Sequence, residues 1–266
     1  MPMAEKILQK RMTDLSHYRR SPEAETFRFA GFTTHAPRIP WDIFTTRVFL
    51  WKNGQHIGLI GPTGLGKTTL LTNLLPLKPY VVVFATKPRD ETMNALLRLG
   101  YVKLDRWRSL DPEYFPRRVL WPDASKLNSK GIQKAVFTDA MERIYREGGW
   151  CVALDETWYM TNILGMDEEI KTYLLQARSL GISVVGAMQR PAWVPREFYT
   201  SATHLFFWRT NDETDLRSIS GIGWRSARLI QDLVSELEMY QVLYVNTRTG
   251  FMCRTRCPNV TTGERR

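Results

Sequence analysis

The sequence QHIGLIGPTGLGKTTLLTNLL, which spans residues 55–75, decides the fold class of this chain. An apolar run ends at Ile60, and residues 61–68 then match the pattern G-x-x-x-x-G-K-[ST] in full. The residues after Thr68 have the apolar spacing of a helix. The pattern therefore lies between a predicted strand and a predicted helix, which is the context that a phosphate-binding loop requires.

Each residue type in this loop suits phosphate binding for a chemical reason. Gly61, Gly64 and Gly66 lack a Cβ, so the backbone can turn its N–H groups toward a polyphosphate. Lys67 can reach the β and γ phosphate oxygens, and the Thr68 hydroxyl can ligate Mg²⁺. The positive end of the following helix lies at the phosphates. We expect a nucleoside triphosphate to bind Gly61, Pro62, Thr63, Gly64, Leu65, Gly66, Lys67, Thr68 and Thr69.

Two later strands are predicted to bring polar side chains to the same place. The apolar run at 150–154 ends in Asp155 and Glu156. Asp155 can bind the water shell of Mg²⁺, and Glu156 can take a proton from the water that attacks the γ-phosphate. Gln189 follows the run at 182–187, where it is placed to sense the γ-phosphate. We therefore predict hydrolysis as well as binding.

Strands and helices alternate along most of the sequence, which favours an α/β fold with a mostly parallel, doubly wound sheet. Residues 47–51 and 55–60 flank Lys52-Asn53-Gly54 and predict a hairpin, and residues 240–246 and 251–254 predict another at the end of the chain. We divide the chain into an N-terminal extension (1–45) with a basic amphipathic helix at 3–20 and a Pro-rich linker, a phosphate-loop domain (46–256) and a tail (257–266). The remaining strands are predicted at 80–85, 101–104, 119–121 and 204–208, and helices at 68–75, 90–99, 129–146, 167–180, 211–220 and 225–234.

The charge of the chain indicates its partners. Lys and Arg number 37 against 27 Asp and Glu, which gives a formal net charge of +10. A surplus of this size fits a polyanion such as nucleic acid, although a merely basic soluble protein is the alternative. An arginine- and tryptophan-rich loop at 106–118 is expected to face DNA.

No apolar run approaches the ~20 residues that span a bilayer, so we expect no membrane insertion. Three cysteines give no disulfide framework and favour the cytoplasm.

Four segments in order, GPTGLGKTT, CVALDE, ARSLGISVVGAMQRP and THLFFWRTNDETDLRSI, resemble the FtsK/HerA group of P-loop ATPases. The resemblance is greatest to the small viral members that package genomes into capsids. Its most specific part is residues 177–191, which end in Gln-Arg-Pro, and it covers roughly residues 50 to 220. Either nucleotide-site motif alone would fit many ATPase families.

This resemblance implies a RecA-like (ASCE) core that binds ATP and Mg²⁺ and whose subunits close into a ring, expected to be a hexamer. It also implies that Gln189 is the polar sensor and that Lys87 corresponds to a basic residue of the family. An arginine from the neighbouring subunit completes the site in the family. Arg178, Arg209 and Arg217 each align with arginines of that region, and the sequence leaves the choice among them open.

The expected function is therefore an ATP-driven motor that packages double-stranded DNA, in the host cytoplasm or associated with the virion. Capsid vertex proteins are further expected partners. We expect neither the membrane segments nor the separate DNA-reading domain of the larger translocases, which favours a compact viral or mobile-element motor. Alternatives are an assembly or secretion ATPase like the Zot-like proteins of filamentous phages, and a DNA-transfer ATPase of a mobile element. A GTP switch or small-molecule kinase is disfavoured because the guanine-reading motif Asn-Lys-x-Asp does not occur.

Overall fold

The computed structural model describes residues 26–258, except for 30–31, 127–128, 191, 193–194 and 221–226. The predicted helix at 3–20 and most of the tail lie outside the described residues. The strands are β1 (Thr26–Phe29), β2 (Phe32–His35), β3 (His56–Ile60), β4 (Val81–Phe84), β5 (Val102–Leu104), β6 (Arg117–Leu120), β7 (Cys151–Leu154), β8 (Ser183–Met188), β9 (Ala202–Trp208), β10 (Gln241–Asn246) and β11 (Met252–Arg256). The α-helices are α1 (Trp41–Ile43), α2 (Lys67–Leu74), α3 (Glu91–Arg98), α4 (Lys130–Glu147), α5 (Asp167–Gln176), α6 (Arg196–Ser201), α7 (Glu213–Ser220) and α8 (Ala227–Ser235).

Nine of these strands form one sheet in the order β11-β10-β9-β3-β8-β7-β4-β6-β5. The seven strands from β9 to β5 are parallel to one another, and β10 and β11 are added antiparallel at the β9 side. This confirms the predicted mostly parallel sheet. The terminal hairpin is also confirmed, since β10 pairs with β11.

The sheet is buried on both faces, as its continuous apolar strands predict. Along β4, Val82 and Phe84 belong to one apolar cluster, while Val81 and Val83 belong to the cluster on the opposite face. The first cluster includes side chains of α4, α5 and α8, and the second includes side chains of α2 and α3. Helices therefore cover both faces, which is the doubly wound arrangement.

The predicted hairpin of residues 47–51 with β3 is wrong. Helix α1 continues instead as a π-helical turn, Phe44–Val48. The backbone of β3 has no free edge, because β8 and β9 pair with its two sides. This segment is apolar because its aromatic side chains pack on a face of the sheet. Phe44 and Phe49 are buried and contact Phe206.

The parallel strands bring their carboxyl ends to one edge of the sheet, where open α/β sheets bind ligands. The phosphate loop follows β3, Asp155 follows β7, and Gln189 follows β8. Because β10 runs antiparallel to β9, its first residues lie at this same edge. The fold thus gathers residues that are far apart in sequence.

Candidate functional site

The phosphate loop has the geometry that its glycines predict. A Cβ added at Gly61 would lie 2.6 Å from the Cβ of Trp208, so no side chain fits there. Gly64 and Gly66 have φ angles of 84° and 99°, in the left-handed region that favours glycine. Helix α2 begins at Lys67, directly after the loop. Close packing requires the first glycine, and the backbone conformation requires the other two.

Lys67 lies inside the loop that it follows. Its Nζ donates hydrogen bonds to the carbonyl oxygens of Gly61 (2.6 Å) and Pro62 (2.7 Å). Burial lowers the pKa of Lys67 to about 8, and the nearby carboxylates of Glu156 and Asp155 oppose this shift. The buried ammonium group of Lys67 therefore lies at the loop, where it can bind an anion that enters the loop.

Asp155 lies beside a second lysine. Its buried carboxylate is 3.4 Å from Lys87 Nζ, which is also 3.5 Å from Asp90. Burial raises the pKa of Asp155 although Lys87 opposes the shift. Burial alone would lower the pKa of Lys87, but the negative charges of Asp155 and Asp90 outweigh it and raise the pKa. The carboxylates of Asp155 and Asp90 therefore keep Lys87 in its charged form at the end of β7.

A continuous hydrogen-bond chain joins Glu156 to the phosphate loop. Gln189 donates from its amide nitrogen to a Glu156 carboxylate oxygen. The amide oxygen of Gln189 accepts a hydrogen bond of 2.9 Å from the Thr63 hydroxyl. Burial raises the pKa of Glu156, Lys87 opposes the shift and Asp155 adds to it. A carboxylate with a raised pKa is a better proton acceptor, which suits a general base.

These groups surround one cavity of about 300 Å³. Its polar end is formed by residues that follow β4, β7 and β8 on one side of β3, namely Lys87, Asp155, Glu156 and Gln189, and the phosphate loop also lines it. Of the predicted binding residues, Gly61 and Pro62 do not line the cavity in the described structure, and they contribute the carbonyl groups that hold Lys67. The predicted residues that line it are Thr63, Gly64, Leu65, Gly66, Lys67, Thr68, Thr69, Asp155, Glu156 and Gln189.

The donor set of this cavity fits Mg²⁺. Thr68 and Asp155 both line it and offer a hydroxyl and a carboxylate oxygen. Mg²⁺ prefers oxygen ligands and is commonly held by one or two protein groups together with substrate phosphates. Among the described residues there is no group of three or more His, Cys, Asp or Glu that could hold a metal without such a phosphate.

The three candidate arginines lie apart from one another, and none of them lines the described part of this cavity. Arg178 is exposed in the turn before β8, at the amino edge of the sheet. Arg209 follows β9 and lines a separate cavity of about 320 Å³ beside Pro62 and Leu65. Arg217 is exposed on α7, 2.9 Å from the Glu213 carboxylate.

The prediction that the 106–118 loop faces DNA is wrong for two of its residues. Trp107 and Arg118 are buried, at 4% and 1% exposure. The Arg118 guanidinium packs over the rings of Trp107 (4.6 Å) and Trp150 (4.5 Å), which also contact each other edge to face, and it donates to carbonyl groups of the loop itself. Glu147 accepts a hydrogen bond from each of the two indole N–H groups. These side chains hold the loop on the sheet.

Sequence reasoning missed one end of the cavity. On the other side of β3, at β9, β10 and β11, it is lined by Trp208, Tyr240, Val242 and Cys257. Trp208 could have been suspected, because it ends the strand beside β3. Tyr240 and Cys257 carry no such signal, since only the antiparallel pairing of β10 and β11 brings them to this edge.

Comparisons with known proteins agree with this architecture. No protein-family model matches the chain, and no curated protein has a similar sequence. The structure is similar to the DNA-packaging ATPase of Sulfolobus turreted icosahedral virus, with a TM-score of 0.59 and 16% identity over 79% of this chain and 100% of that one. The fold is that of the FtsK/HerA-type P-loop ATPases.

Two further structures extend this similarity. The genome-packaging NTPase of Sulfolobus turreted icosahedral virus 2, solved in complex with AMPPCP, has a TM-score of 0.56 and 16% identity over 76% of this chain and 97% of that one. The conjugation coupling protein TcpA of pCW3, solved with ATPγS, has a TM-score of 0.50 and 12% identity over 90% of this chain and 66% of that one. At these identities the similarity establishes the fold.

Within the part of the chain that the structure describes, no helix has the length and apolar character needed to cross a membrane.

Proposed function

We propose that this chain is an ATP-hydrolysing DNA translocase that packages double-stranded DNA into a viral capsid as a ring-shaped motor. The observation that carries the hydrolytic part is the hydrogen-bond chain from Thr63 through Gln189 to Glu156. These hydrogen bonds connect the phosphate loop to Glu156, the carboxylate that directly follows Asp155 at the end of β7. A terminal phosphate that entered the loop would compete for the Thr63 hydroxyl and so change the position of Gln189.

Each residue then has a defined part in hydrolysis. Lys67 binds the β and γ phosphate oxygens, and the loop N–H groups and the start of α2 bind the remaining charge. Glu156 accepts a proton from the attacking water, and Gln189 orients that carboxylate. Thr68 and Asp155 would hold Mg²⁺, which neutralises charge on the transferred phosphoryl group when bound.

The DNA partner is supported by charge and by fold. The net charge of +10 favours binding to DNA phosphates, which is independent of sequence and weakened by salt. A DNA-packaging ATPase has the same fold. We propose a hexameric ring in which Arg178, Arg209 or Arg217 of one subunit reaches the site of the next. Arg178 and Arg217 are exposed and do not line the described part of their own cavity, which is consistent with action on a neighbouring subunit.

The test is the ATPase rate of the purified chain with and without duplex DNA, together with the mass of the assembly. We expect stimulation by DNA that declines as salt is raised, and a mass of several subunits. Lys67→Ala is the control that removes nucleotide binding. ATPase activity that does not respond to DNA would contradict the translocase and favour an ATPase that acts on protein. A rate that is the same in the Lys67→Ala variant would contradict the site itself.

A further inference from the structure

The apolar end of the cavity has a feature that its packing does not explain. Tyr240 has a φ of 63°, and among the described residues it is the one non-glycine residue in the left-handed region. This conformation is uncommon for a bulky side chain and costs energy. The Tyr240 side chain is also 50% exposed, so burial of its ring does not account for the strain. A strained and exposed aromatic residue beside a ligand cavity indicates a binding role.

The turn that carries Tyr240 is held from both sides. The Gln241 N–H donates to the Glu238 carbonyl at 3.1 Å, and the Gln241 side chain accepts from the Glu238 N–H at 3.3 Å. Arg256 donates to the Glu238 carboxylate and to the Met239 carbonyl. These bonds fix the backbone on either side of Tyr240 and therefore the point from which its ring extends.

That position is next to the phosphate loop. A Cβ added at Gly66 would lie 3.9 Å from both Tyr240 Cδ1 and Trp208 Nε1. Tyr240 also lines a second cavity of about 510 Å³ together with Trp41, Arg256 and Cys257. It therefore borders two open volumes and adjoins the last glycine of the loop.

The direction of a bound nucleotide follows from the residues at the polar end. Lys67 and the general base Glu156 require the γ-phosphate near Lys87 and Gln189. The ribose and base must then extend past Gly66 toward Trp208, Val242 and Cys257. We propose that the purine base of the bound nucleotide stacks on the ring of Tyr240. This inference rests on the proposed nucleotide function, which it deepens.

The test separates the ring from the backbone strain. Tyr240→Gly removes the ring and adopts the observed φ without strain, which offsets the greater conformational entropy of glycine in the unfolded chain, so the variant is expected to fold. Loss of one base–aromatic stack is expected to weaken ATP binding about tenfold or more. Tyr240→Phe keeps the stacking surface and should bind ATP like the wild type. Inorganic tripolyphosphate, which has no base, should bind all three proteins equally.

Calorimetric titration of ATP and of tripolyphosphate gives these affinities, and thermal unfolding confirms that each variant is folded. Tyr114→Ala, which removes a tyrosine that is 80% exposed in the 106–118 loop, is the matched control and should bind ATP normally. Unchanged ATP affinity in Tyr240→Gly would overturn the stacking, as would an equal loss of tripolyphosphate affinity. A wild-type chain that binds neither compound would instead overturn the proposed function, and the base site with it.

Discussion

Two buried lysines at opposite edges of the sheet differ in what surrounds them. Lys67, at the carboxyl edge, donates to two main-chain carbonyls and borders the cavity. Lys78, at the amino edge, donates to the Trp51 carbonyl and to Asn53, and lies 4.6 Å from the Trp51 ring. Burial lowers the pKa of both. The residue type and its burial therefore do not distinguish a functional lysine from a structural one.

The same contrast holds for the other polar groups of the two edges. At the amino edge, Arg118 is buried where it packs over two indole rings and donates to carbonyl groups, and His56 and His204 are buried in hydrogen-bonded positions. At the carboxyl edge, Glu156 and Asp155 keep one side toward an open cavity. We infer that carboxyl-edge substitutions change activity more than stability, and that amino-edge substitutions do the reverse.

The largest expected effect is at the carboxyl edge. Glu156→Gln removes the proton acceptor but keeps the shape of the side chain, so we expect hydrolysis to fall by about 10²–10⁴-fold. ATP binding and the free energy of unfolding should change little. The measurement is single-turnover hydrolysis together with equilibrium ATP binding. Glu142→Gln, an exposed position on α4, is the matched control and should keep the wild-type rate. A wild-type rate for Glu156→Gln would refute the role of the base.

The next effect is at the amino edge. Arg118→Met removes a guanidinium that donates to partly buried carbonyl groups and packs over two indole rings, so we expect a loss of about 3 kcal/mol in the free energy of unfolding. Urea denaturation measures it. Arg117→Met is the matched control and should cost less than about 1 kcal/mol, because its guanidinium is 6.0 Å from the Tyr101 ring and only partly buried. Equal losses in the two variants would contradict the structural role of Arg118.

The buried histidines give this edge a pH dependence. Burial lowers the pKa of His56 to about 4 and of His204 to about 3, from 6.5. Below pH 6.5 the unfolded chain binds protons that the folded chain does not, so stability falls as pH falls. Between pH 6.5 and 5.5 we expect a loss of about 2 kcal/mol from the two together. Denaturation at both pH values measures it, and His204→Asn should reduce the loss by about half. A pH-independent stability would contradict the two pKa shifts.

The smallest effect is expected on the exposed side of the 106–118 loop. Arg106 and Arg108 are exposed and form ion pairs with Asp105. Exposed ion pairs contribute little, so Arg106→Ala and Arg108→Ala should each change the free energy of unfolding by less than about 1 kcal/mol. Thermal or urea denaturation compares them with Arg118→Met. A loss as large as that of Arg118→Met would remove the distinction between the buried and exposed arginines of one loop.

The sequence by itself determined the parts of this molecule that depend on neighbouring residues. The loop at 61–68, the acidic pair after β7 and the alternation of strands and helices are local patterns, because loop conformation and apolar periodicity are set over a few residues. The same patterns predicted Asp155, Glu156 and Gln189 as site residues, and the structure places all three at one cavity.

Only the tertiary structure decided the features that depend on contacts between residues far apart in the sequence. Thr63 and Gln189 form their hydrogen bond across 126 residues, and β8 and β9 occupy the edges of β3 that a hairpin would have needed. Tyr240 reaches the cavity because β10 reverses the direction of the chain. Arg118 is structural because its buried guanidinium packs over two indole rings and donates to carbonyl groups. A sequence pattern specifies which groups can act, but the contacts of the folded chain decide which of them are left facing a cavity.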